Sequence, residues 1–133
     1  MIQGQYISFE VAKLLRKKGF VQDGMWFYYE PTKELTDSYY PAEDELFFAA
    51  PTQSLTMRWL REEHNLFIEI QCYGCEADKE AHYEFSYVIS EFVLIDNKIC
   101  TTLGLEEKKA KSRFNSYEEA CEAAIEYCLE NLI

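Results

Sequence analysis

The stretch Pro51-Thr52-Gln53-Ser54-Leu55-Thr56-Met57-Arg58-Trp59-Leu60-Arg61-Glu62-Glu63-His64-Asn65-Leu66-Phe67-Ile68-Glu69-Ile70 changes its apolar period once, and that change decides the fold class. Thr52, directly after Pro51, supplies a helix N-cap, and Leu55, Trp59 and Leu60 form a stripe at helical spacing. Asn65 suits the left-handed residue that ends such a helix. Beyond it the period falls to two: Leu66, Ile68, Ile70 and Cys72 face one way, Phe67, Glu69, Gln71 and Tyr73 the other. A helix, a turn and a half-buried strand follow one another without a linker.

Towards the N-terminus, Ser8 caps a helix running to about Lys18, with Val11, Leu14 and Leu15 on one face and Gly19 as its left-handed stop. Met25-Trp26-Phe27-Tyr28-Tyr29 is short and aromatic, as a strand packed on both sides would be. From Pro31 to Pro41 the turn-forming residues predict a mobile loop, and Leu46 to Ala49 stays undecided between loop and short strand. Towards the C-terminus, Gly74 to Lys79 reads as a polar connection. Tyr83, Phe85, Tyr87 and Ile89 then alternate with polar residues, so this strand forms an antiparallel hairpin with the one before it. Another strand is expected over Phe92-Val93-Leu94-Ile95, with Asp96-Asn97 as a turn and Lys98 to Thr101 returning. Ser116-Tyr117-Glu118-Glu119 is a capping box. It opens a helix whose Tyr117, Cys121, Ala124, Cys128 and Leu132 face the core, supported by Ala120, Ile125 and Leu129.

The expected architecture is α+β over residues 1–133 as one domain. An antiparallel sheet of three to five strands is built chiefly from Met25–Tyr29, Leu66–Tyr73, Tyr83–Ile89 and Phe92–Ile95, with about three helices packed mainly on one face. The chain has 133 residues, 48% of them hydrophobic and 16% aromatic, enough for one core without disulfides or metal. Its formal net charge of -11 argues against direct nucleic-acid binding, which needs a coherent basic surface. Lacking an N-terminal apolar run or a membrane-length segment, and with five cysteines in no regular framework, it is expected to be cytoplasmic and free of the membrane.

No phosphate-binding glycine loop, zinc-protease helix or nucleophile elbow occurs, so no catalytic residue, cofactor or metal is expected. Cys72-Tyr73-Gly74-Cys75 is the one motif that invites chemistry, because this spacing serves redox disulfides and half-sites for zinc. Its context is a strand followed by another strand rather than by a helix N-terminus. The favoured reading is therefore Cys72 buried on a strand face and Cys75 in a turn. Glu118, Glu122, Glu126 and Glu130 repeat every fourth residue as an acidic ridge, by default a solvated face. A sharper reading makes the ridge a mimic of DNA that inhibits a nucleic-acid-binding protein.

Pro51 to Leu55, Arg58 to Glu62, His64-Asn65 and the strand to Ile70, with Ile7 to Leu15, Lys18-Gly19-Phe20 and Ser116 to Ala124, together resemble small uncharacterised proteins of phages and prophages of gut Bacteroidales. The resemblance spans most of the chain except Glu30 to Glu45. It implies an origin and an intracellular setting, and it carries over no functional residue. The expected function is that of a non-enzymatic accessory protein binding another protein, or itself as a homodimer. The aromatics exceed what one sheet face can hide. The expected contact surface therefore comprises Trp26, Tyr28, Tyr39, Tyr40, Phe67 and Tyr73, with Arg58 and Arg61 beside them. The rival expectation is a small thiol-redox or metal-binding protein using Cys72 and Cys75.

Overall fold

In the computed structural model, residues 5–21, 26–37, 46–75, 80–102 and 113–133 are described. They form an α+β fold in the order α1 (Phe9–Lys17), β1 (Phe27–Tyr29), β2 (Glu34–Thr36), β3 (Phe47–Ala49), α2 (Gln53–His64), β4 (Leu66–Cys75), β5 (His82–Ile95), β6 (Lys98–Thr102) and α3 (Tyr117–Tyr127). A π-helical turn over Cys128–Leu132 extends α3.

The helix boundaries follow from local chemistry. Ser8 Oγ accepts from the Val11 N–H at 3.3 Å, Thr52 Oγ1 from Leu55 at 3.2 Å and Ser116 Oγ from Glu119 at 3.1 Å, so each helix begins on its predicted cap. Glu119 reaches back one residue further than a capping box requires, taking the Asn115 N–H at 3.2 Å instead of that of Ser116. Asn65 ends α2 at φ 57°, and Gly19 follows α1 at φ 87°.

Six described strands divide between two antiparallel sheets, ordered β2-β1-β3 and β4-β5-β6. The segment read as a loop after Pro31 contains β2, which pairs with β1 through a turn holding Lys33 at φ 57°. The segment left undecided is β3, pairing Tyr28 with Phe48. The two strands expected at Tyr83–Ile89 and Phe92–Ile95 are one unbroken strand of 14 residues. Asp96 and Asn97, at φ 51° and 60°, close the two-residue turn to β6 and fix its register, Ile95 opposite Lys98 and Leu94 opposite Ile99.

One buried cluster joins α1 (Phe9, Val11, Ala12, Leu15), β3 (Phe48), α2 (Leu60), β4 and β5 (Leu66, Tyr87, Ile89) and α3 with its extension (Ala124, Ile125, Cys128, Leu129). The inner stripe of α2 differs from the expected one. Leu55 is exposed, while Gln53 and Thr56 are buried with Leu60. Thr56 satisfies its hydroxyl on the Thr52 carbonyl at 2.9 Å, and Gln53 donates to the Glu118 carbonyl at 3.0 Å and to Glu122 Oε2 at 2.9 Å. Polar side chains can occupy these positions because local and interhelical partners replace water. No helix among the described residues is long and apolar enough to cross a membrane.

Candidate functional site

The β4-β5-β6 sheet has two unlike faces. Its inner face carries Leu66, Ile68 and Ile70 beside Tyr87 and Ile89, and α3 packs on it. On the outer face the register brings Phe67, Phe92, Leu94 and Ile99 together. Phe67 and Phe92 meet edge to face with centroids 4.7 Å apart, Leu94 lies two residues beyond Phe92, and Ile99 is directly opposite Leu94. Leu94 and Ile99 are 75% and 73% exposed, among the largest values for apolar side chains in the described residues. Of the described helices, α2 and α3 pack on this sheet, and neither covers Leu94 or Ile99.

The far end of the same face is polar. Tyr73 lies across from Glu84; the Arg113 guanidinium stands 3.9 Å from the Tyr73 ring centroid, with its Nε 3.8 Å from Glu84. His82 Nε2 is 3.2 Å from Glu84 Oε1, and the Glu80 carbonyl with the Glu84 carboxylate raises the His82 pKa above its ordinary value. The Tyr73 hydroxyl donates to Gln71 Oε1 at 2.5 Å. An apolar strip merging into a rim of tyrosine, arginine and carboxylate has the make-up of protein interfaces.

The residues expected to form one contact surface are scattered. Phe67 and Tyr73 share the outer face of β4. Trp26 packs on Tyr6 at 5.5 Å, and Tyr28 donates from its hydroxyl to the Ile7 carbonyl at 2.6 Å while its ring meets Phe9 at 5.8 Å. Trp26 and Tyr28 thus anchor the short sheet to the N-terminal segment and α1. Arg58 is held by Glu62 at 2.8 Å on α2, and Arg61 lies beside α3. Tyr39 and Tyr40 fall outside the described residues. Leu94 and Ile99 were legible as strand residues. Their shared face follows once Asp96-Asn97 is taken as a two-residue turn, which pins the cross-strand pairs.

Cys75 lies in strand β4 rather than in a turn, paired with His82. Three steps along a strand separate Cα atoms by about 10 Å, beyond the roughly 7 Å limit for a disulfide. Cys72 is not buried as expected but is an exposed free thiol, and among the described residues no group of three or more metal-type side chains converges. The acidic ridge is interrupted too. Glu122 turns inward, its Oε1 taking the Ser8 N–H at 2.7 Å and its Oε2 the Gln53 amide. Comparison with protein-family models, curated proteins and solved structures finds no match.

Proposed function

We propose that this protein is a non-enzymatic binding module whose working surface is the outer face of β4-β5-β6. The observation that carries the reading is the outer-face strip in which Leu94 and Ile99 stand open beside the half-buried Phe67 and Phe92. Exposing large apolar side chains contiguously costs solubility, and such a strip on an otherwise acidic chain is accounted for by a partner that covers it. The Tyr73, Glu84 and Arg113 rim would set orientation, and the apolar strip most of the affinity. A protein partner, or a second copy, fits this flat surface better than a small ligand, which favours concave sites. The resemblance to phage and prophage proteins makes a host or phage protein met inside the cell the natural partner.

A Leu94→Asp/Ile99→Lys double variant, which places opposite charges on this cross-strand pair, tests the proposal. Both side chains are exposed, so the variant should fold with an unchanged circular dichroism spectrum. It should lose any concentration-dependent self-association seen by sedimentation, and any partner cross-linked to the wild type in cells. Equal association or cross-linking by variant and wild type would remove this face as the working surface.

A further inference from the structure

A recess of about 310 Å³ lies between α2 and α3, on a different part of the molecule from the open sheet face. Its walls are one ridge of α2, where Gln53, Met57 and Arg61 follow at four-residue intervals with Ser54 beside them, and Tyr117, Glu118 and Cys121 of α3; Gln5 closes one side. This volume is at the small end for ligand sites.

Three polar residues of the lining bear on what the recess could hold. Arg58 is occupied by Glu62, but Arg61, one turn of α2 away, makes no ion pair among the described residues. Glu118 accepts through its backbone carbonyl, and its carboxylate likewise forms no ion pair among them. Gln53 is only 5% exposed. Its Nε2 faces two acceptors, which fixes the amide orientation, and its Oε1 receives no hydrogen bond from the described residues. A buried amide oxygen without a donor is costly and uncommon, and points to a group that supplies one. Arg61 and Glu118 each complement their own helix dipole, yet that role does not require both to line one recess.

From this arrangement we infer that the α2/α3 recess binds a small aminocarboxylate, a molecule bearing both a carboxylate and an ammonium group. The carboxylate meets the Arg61 guanidinium, whose fork suits a two-point contact, with the Ser54 hydroxyl and Gln5 amide as further donors. The ammonium donates to the Glu118 carboxylate and to Gln53 Oε1. Met57 and the Tyr117 ring supply an apolar wall for the remainder of the ligand. A simple anion would use Arg61 but neither Glu118 nor Gln53 Oε1, and a simple cation would use these two but not Arg61.

The test is an amide NMR titration of the full chain with the common α-amino acids and with longer-chain ω-amino acids at millimolar concentration. The N-acetylated and the carboxamide forms of any binder form the second arm. The expected result is saturable shifts confined to residues 53–61 and 117–121, weakened about tenfold or more by blocking either end of the ligand. Arg61→Gln and Glu118→Gln should each weaken binding similarly while lowering the urea midpoint only slightly, since both side chains are exposed and each loses only its favourable helix-dipole contact. No saturable shift at these residues with any compound would overturn the inference, as would equal binding of a blocked form. Free amino acids are distinguished from a peptide terminus by the same series, because a C-terminal carboxylate alone is represented by the N-acetylated form.

Discussion

Cys121 and Cys128 sit two helical turns apart in the apolar stripe of α3, where the sequence pattern reads them as small hydrophobes, and the structure gives that reading a chemical consequence. Burial pushes the Cys121 thiol up to about 11 and the Cys128 thiol up to about 12, from an ordinary 9.0. The folded state holds these protons more tightly than the unfolded chain does. Their contribution to stability is therefore intact below about pH 9 and lost as the pH rises through 11 and 12, at no more than about 1.4 kcal/mol per pH unit for each thiol. Urea unfolding across this alkaline range should show the decline, and Cys128→Ala should make it shallower. Because the thiolate is the nucleophile, peptide mapping after alkylation at mildly alkaline pH should find label on exposed Cys72 and none on Cys121 or Cys128 until urea is added. Prompt labelling of Cys128 in the native protein would contradict its burial.

Among the elements, α3 carries the most internal conflict. Its N-terminus is well made, with Ser116 as cap and two glutamates in the first turn favouring the dipole. Further along, Glu122, Glu126 and Glu130 repeat at four-residue spacing, and Glu122 is held inward by Ser8 and Gln53. Partial burial, then Glu130, Glu122 and Glu10, raise the Glu126 carboxyl above its ordinary 4.5. A raised carboxyl means that the charged form is disfavoured in the fold, so stability is lost as the pH rises through this titration. Glu126→Gln should thus stabilise the protein at neutral pH by about 0.2–0.5 kcal/mol, the size of one relieved like-charge pair. The gain should shrink in high salt and disappear near pH 4, where the wild type is itself protonated. Urea midpoints at the two pH values and two salt concentrations measure it, and a destabilised variant would mean that Glu126 has a partner of its own.

For the whole molecule, stability and the proposed surface occupy opposite sides of one sheet. Ile125 is fully buried beneath the inner face, and Ile125→Ala should cost about 2–5 kcal/mol through lost burial and the cavity left behind. Leu94→Asp on the outer face should change stability by only about 0.5 kcal/mol or less. Urea unfolding of the two single variants, read against the association of the Leu94/Ile99 pair variant, separates folding from binding. If Leu94→Asp proved as damaging as Ile125→Ala, the outer face would be part of the core.

How far the chain could be read without its fold depended on the range of each interaction. The three caps, the left-handed Asn65 and Gly19, the period-two run from Leu66 and the Asp96-Asn97 turn rest on contacts within about four residues. Those features stand in the sequence as they stand in the structure. Leu55 was read into the apolar stripe of α2, and Gln53 and Thr56 were not, because hydrophobicity does not reveal that Glu118 and Glu122, more than sixty residues away, supply the partners that let Gln53 be buried. The same limit hid β2, three residues long and paired with β1, inside a segment rich in turn formers.

Local chemistry in the sequence thus determined an α+β chain of capped helices and antiparallel strands. Only the tertiary structure decided that the strands divide into two sheets, that α3 covers the inner face of one, and that Phe67, Phe92, Leu94 and Ile99 are left together outside. A strand carries apolar residues on both faces without specifying which will be covered; that is settled by where a helix from elsewhere in the chain comes to rest.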